Sequence, residues 1–170
     1  FLEYLSFEEI NKIISYCYKN LTKNGILILG SRNRLYNLFS LNRFTEFEAK
    51  LKTHKRFLKE AIDLNKFTLT KFLKNNKNYF EETPFSQPTT TGIKVNVRNQ
   101  FTPGQINNLL SKHNFKINEI SPINYHPVSP AIYNKGDKEI RKISNLIMMQ
   151  KNKLALIPFS SSFIISAKRI

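Results

Sequence analysis

One histidine, a run of polar and basic residues behind an apolar stretch, and a few aromatics are the side chains here whose types suit chemistry. His126 sits in Tyr125-His126-Pro127. An imidazole with an ordinary pKa of about 6.5 can take a proton from a hydroxyl or amine at neutral pH. Without a catalytic role, the same residue is a structural histidine bonded to a loop carbonyl. Ser31, Arg32, Asn33 and Arg34 follow directly on Gly25-Ile26-Leu27-Ile28-Leu29-Gly30. Open α/β sheets place ligands at the carboxyl ends of their strands, and an arginine fork suits a carboxylate or phosphate. The alternative for these four is a solvated loop. Tyr36, Phe39, Phe44 and Phe47 either line an apolar acceptor pocket or pack one layer on another.

Other reactive types are poorly placed. The single cysteine, Cys17, excludes an internal disulfide framework and falls at helical spacing with Ile10, Ile13, Ile14 and Leu21, which predicts a core thiol. His54 and His113 have no partner at metal-ligand spacing, so no metal site is expected.

The elements that must position the candidates are clearly punctuated. Ser6-Phe7-Glu8-Glu9 is a capping box, and Leu5 with Ile10 fits a hydrophobic staple, predicting a helix over about 7–21. The run 25–29, apolar on both faces and rich in branched residues, reads as a buried parallel strand. Thr45-Glu46-Phe47-Glu48 predicts a second capping box opening a helix to about Asp63, with another helical stretch over about 68–75. Residues 76–100, with Pro84 and Pro88, suit an ordered loop. Thr102-Pro103-Gly104-Gln105 is an N-cap, a proline at the first helical position and a third capping box, with apolar Ile106, Leu109 and Leu110 behind it. Alternation predicts strands over 115–121 and 162–168, with an amphipathic helix over about 137–149 between them.

Taken together, Phe1-Leu2-Glu3-Tyr4-Leu5, a capped helix, Leu21-Thr22-Lys23-Asn24-Gly25, an apolar strand and Ser31-Arg32-Asn33 resemble a stretch of the class I S-adenosylmethionine-dependent methyltransferases. In that family it is usually written V-L-E-H, helix, L-K-P-G-G, strand, S-x-N. The resemblance implies an α/β, partial Rossmann-like methyltransferase fold holding strands five to seven and their flanking helices, with an inserted helical cap at about 44–100. The family's sheet order, 3-2-1-4-5-7-6 with strand seven antiparallel, would leave 5-7-6. Residues 1–170 would then be a single partial domain. Phe1 runs into a helix signal without a linker, so the amino terminus is expected to be a cut within that domain.

The resemblance implies further that Leu2, Glu3 and Tyr4 border the cofactor S-adenosylmethionine. Within that frame Ser31, Arg32, Asn33, Arg34, Tyr36 and Tyr125 are the candidate acceptor-binding residues and His126 the candidate catalytic base. Methyl transfer is an in-line displacement, so the protein mainly supplies positioning, plus a base where the acceptor loses a proton. Arg98-Asn99-Gln100-Phe101-Thr102-Pro103 to Tyr125-His126-Pro127 is similar to bacterial members with a substrate cap, some from polysaccharide or lipid modification. The acceptor is therefore expected to be a small molecule or a glycan- or lipid-linked group. The departures are Tyr4 for the usual His, Lys23-Asn24-Gly25 for Pro-Gly-Gly, and the lack of any G-x-G-x-G turn or ribose-binding acid. Such a chain is expected to bind the cofactor poorly or not at all by itself.

The net charge of +15 raises a second reading, a basic nucleic-acid-binding module without catalysis. Against it, the Lys and Arg residues are spread along the chain with no RNP-type or finger motif. The excess of Lys, Asn and Ile over Gly and Ala is what an AT-rich coding sequence produces, so no nucleic-acid partner is favoured. No run approaches the roughly 18 apolar residues of a membrane span, and a cytoplasmic protein is the default expectation. The sequence does not set an oligomeric state.

Overall fold

The computed structural model describes residues 2–77, 99–129, 138–149 and 153–170. A 3-10 turn (Leu2–Tyr4) leads into α1 (Phe7–Asn20), β1 (Ile26–Arg32) and the single turn α2 (Tyr36–Phe39). Next come α3 (Arg43–Lys50), α4 (His54–Lys66), α5 (Leu69–Asn75) and α6 (Pro103–Lys112). The chain closes with β2 (Phe115–Tyr125), α7 (Lys138–Met148), a 3-10 segment (Lys153–Phe159) and β3 (Ser160–Arg169). It is a mixed α/β structure around a three-stranded sheet in the order β1-β3-β2, with β3 antiparallel to both neighbours. β1 and β2 therefore run the same way, and their carboxyl ends reach the same edge of the sheet.

Two of the three expected capping boxes form as read. Ser6 and Glu9 satisfy each other's backbone N–H groups at the start of α1, and Thr102 and Gln105 do so at α6, with Pro103 at the first helical position. The reading at Thr45 needs correction. Asn42 is the N-cap of α3 and Thr45 is its third residue, bonding back to the Asn42 N–H. Glu48 is thereby freed for a buried partner, and the single expected helix breaks at Lys52, whose φ of 58° is left-handed.

One face of the sheet carries the core. Ile117 and Ile120 of β2 and Phe163, Ile165 and Ala167 of β3 pack with Ile10 and Ile14 of α1 and with Ile106, Leu109 and Leu110 of α6. Phe57 and Leu64 of α4 and Phe72 of α5 belong to the same core, so the segment expected as a cap shares the sheet's apolar interior. The run read as a buried parallel strand departs from that reading. Among the described strands β1 pairs with antiparallel β3 alone, and Ile26 and Ile28 are 55% and 66% exposed, because no described element covers that face. The proline-containing loop of 76–100 lies, apart from its ends, outside the described residues, as does Asp137. Among the described residues no helix is long and apolar enough to cross a membrane.

Candidate functional site

The topology gathers most of the sequence candidates at one edge. β1 ends on Ser31 and Arg32, β2 ends on Tyr125 with His126 just beyond, and β3 begins beside them, pairing Arg32 with Ser162 and Tyr125 with Ser160. α2 follows β1 closely and brings Tyr36 over His126, the two rings stacked at 4.9 Å and 21°. The His126 backbone N–H donates to the Phe159 carbonyl at 2.9 Å, which fixes the residue at the end of β2.

His126 lines a cleft of about 430 Å³ with Asn124, Tyr125, Ser161 and, from α7, Arg141, Ser144 and Asn145. That volume lies in the range of small-molecule sites. Burial lowers the His126 pKa and raises those of Tyr36 and Tyr125. All three groups are therefore held neutral at pH 7: the imidazole able to accept a proton, the phenols still carrying theirs.

A smaller pocket of about 90 Å³ adjoins this cleft through Ser161 and is walled by Tyr36, Asn37, Ser40, Phe44 and Gln100. Behind it lies the correction to the solvated-loop reading. Arg34 is 1% exposed, and its Nε and Nη2 donate to the two carboxylate oxygens of buried Glu48 at 2.8 and 3.0 Å. Glu48 also accepts from Asn37 Nδ2 at 2.9 Å and from the Thr53 hydroxyl at 2.6 Å. An acceptor molecule cannot reach this arginine: its charge is matched inside the fold. Asn33 is likewise buried, its Nδ2 donating to the carbonyls of Ile157 and Ser160 and its Oδ1 accepting from the Leu35 N–H. It backs the pocket and ties β1 to the start of β3.

The amino-terminal candidates divide. Leu2 is 2% exposed and belongs to the core, so it cannot touch a cofactor. Glu3 pairs with Arg32 at 3.3 Å on the wall of another cleft, about 370 Å³, shared with Gly30, Ser31 and Ser162. Tyr4 is 53% exposed. With Leu2 closed in, Glu3 tied to Arg32 and no glycine-rich turn in the sequence, these three residues do not by themselves fit S-adenosylmethionine.

Sequence reasoning missed Glu48, Asn37, Ser40 and Gln100. Glu48 was visible only as a capping-box glutamate and Gln100 only as part of a motif, because pairing across 11 and 63 positions leaves no periodic signal. Phe39 packs on Phe159 at 4.9 Å between ring centres, a packing role. His113 is structural, its ring bonded to Ser15 Oγ and Asn11 Oδ1 of α1 at 3.1 and 2.9 Å.

A wider cleft, about 690 Å³, lies elsewhere, against the start of β2 with Leu69, Leu73, Lys74, Lys77 and Lys116 on its walls. Its lining includes no histidine, aspartate or glutamate, whereas the His126 edge offers an imidazole. Among the described residues no three metal-ligating side chains come together. No family model matches the chain, and no curated protein matches it significantly in sequence, so the reading of this edge rests on its own geometry.

Proposed function

We propose that the chain is the acceptor-side, C-terminal portion of a class I S-adenosylmethionine-dependent methyltransferase with a partial Rossmann-like fold, acting on a small-molecule, glycan-linked or lipid-linked acceptor. One observation carries the reading. β3 lies between β1 and β2 and antiparallel to both, the 5-7-6 order of that fold, while Leu2-Glu3-Tyr4 abuts the carboxyl end of β1 and His126 stands at the carboxyl end of β2. The nucleic-acid reading has only the net charge in its favour.

In this reading the cofactor, which supplies the methyl group, is held by residues outside the sequence. This chain's own contribution is to bind the acceptor in the cleft beside Tyr125 and Ser161 and to remove a proton at His126. Burial keeps that imidazole neutral at pH 7, and the stacked Tyr36 ring limits its rotation.

The test is transfer of a radiolabelled methyl group from S-adenosylmethionine by the chain expressed with the residues encoded upstream of Phe1. His126→Ala should lower turnover by roughly 10²-fold or more with cofactor affinity unchanged. The acid limb of the pH–rate profile should lie below about pH 6.5, since the imidazole pKa is lowered. Turnover unchanged in His126→Ala would return the residue to a structural role. Micromolar binding of the cofactor to the chain by itself would contradict the division of labour.

A further inference from the structure

We propose that the small pocket between β1 and α2 is a recognition subsite for the hydroxyl groups of a neutral sugar. Calling that sugar part of the methyl acceptor rests on the methyltransferase reading; the subsite itself does not.

Chemistry fixes the orientation of two side-chain amides in this pocket. Glu48 bonds Arg34 through both carboxylate oxygens and can only accept, so Asn37 must turn its NH₂ toward it. The same NH₂ reaches Gln100 at 2.8 Å, so Gln100 must present its oxygen. Asn37 Oδ1 and Gln100 Nε2 are what remain, and neither has a hydrogen-bond partner among the described residues. Both side chains are more than nine-tenths buried, at 6% and 7% exposed, and both line the pocket.

Facing the pocket without a protein partner, the amide oxygen and the amide NH₂ together form an acceptor next to a donor. A hydroxyl group is the ligand that answers both, because it donates and accepts at once. The walls also argue against an anion. Arg34 is neutralised by Glu48 behind them, and Arg32 is shared with Glu3. The remaining polar lining is amide and hydroxyl: Asn33, Asn42, Ser40 and Ser161. Tyr36 and Phe44 add apolar ring surface of the kind that packs against the C–H faces of a sugar.

Size narrows the fit. The pocket, about 90 Å³, is the smaller of the two adjoining spaces at this edge, so it suits one end of a sugar, its hydroxyls meeting Asn37 and Gln100. The rest of the sugar then lies in the adjoining cleft, which shares Ser161 and ends on His126.

The experiment is an NMR titration of the chain at low ionic strength with methyl α-mannopyranoside and methyl β-glucopyranoside, using inorganic phosphate and acetate as anionic controls. At least one glycoside should shift the Gln100 side-chain NH₂ signals in a saturable way, and the anions should leave them in place. Gln100→Glu keeps the oxygen that Asn37 needs but removes the donor, and should weaken glycoside binding at least tenfold. No glycoside shift at Gln100 in the unmutated chain, or a stronger one with phosphate, overturns the subsite. Glycoside binding without methyl transfer by the extended chain would sink the methyltransferase reading and leave the subsite standing. Methyl transfer at an unchanged kcat/KM in Gln100→Glu would overturn the assignment of that sugar to the methyl acceptor and leave the methyltransferase reading standing.

Discussion

At the scale of single residues, Arg34 shows how far a local reading reaches. Four polar residues after an apolar run look the same in sequence whether they meet solvent, ligand or another side chain. Here the backbone turns after Arg32, so Ser31 and Arg32 stay at the sheet's open edge while Asn33 and Arg34 point inward. The partner that makes burial of Arg34 tolerable, Glu48, lies 14 positions on, beyond any helical or strand repeat. Truncating it to Ala would leave a guanidinium uncompensated inside the fold and would also strip Asn37 and Thr53 of their acceptor. The expected cost is about 3–5 kcal/mol, much of the stability of an ordinary domain. Urea unfolding would read this as a large fall in midpoint. By contrast, Lys12→Ala, which breaks the exposed Lys12–Glu8 pair, should leave the midpoint within error. Equal effects of the two would mean that the Arg34–Glu48 pair is not buried as described.

At the scale of elements, the starts of α1 and α6 were legible because a capping box is a local chemical statement, while the box read at Thr45 belongs to Asn42 instead. Serine or threonine and a residue three positions on complete each other with no help from the rest of the fold. What such a box cannot reveal is a second anion for the same helix end. Glu60 of α4, fully buried, accepts from the Thr102 hydroxyl at 2.9 Å and from the Gly104 N–H at 2.6 Å, setting a carboxylate at the positive end of α6. The other end of α6 is tied to α1 by His113, which bridges Ser15 and Asn11. Its pKa is lowered, first by burial and then by Lys112, so the unfolded chain binds the proton more readily than the folded one. The stability this confers is present above the unfolded pKa of about 6.5 and is lost as pH falls toward the lower folded value. His126, lowered by burial, adds in the same direction. Unfolding midpoints should therefore decline as pH drops below about 6.5, and His113→Gln should flatten part of that decline. A slope unchanged in this variant would mean that His113 is not the titrating link.

At the scale of the whole molecule, the strands were legible and their order followed from the resemblance alone, yet the exposure of β1 was not. A run of Ile and Leu reads as buried on both faces, and nothing in the run itself says whether a covering element is at hand. Arg169 donates to Gly25, and Asn33 donates to Ser161. In the antiparallel register, then, the odd-numbered residues of β1 bond β3, while Ile26, Ile28 and Gly30 turn their backbone groups to the outer edge. Among the described residues, only Phe101 covers that edge, near Arg32 and Asn33, accepting from the Arg34 N–H and donating to the Arg32 carbonyl. An uncovered apolar edge is a template for pairing with another chain, and this one has no proline or lysine within it. The net charge of +15 opposes association by repulsion, but screening shortens that force to a Debye length of about 8 Å at physiological ionic strength. The chain should therefore stay dispersed at low salt and associate as salt rises, with light scattering as the readout. The gatekeeper belongs at an exposed position: Ile28→Lys meets solvent, whereas Leu27 packs toward the core. Ile28→Lys should suppress the salt-induced scattering without lowering the unfolding midpoint. A monomer at physiological salt without that substitution would mean that the β1 edge is covered in solution.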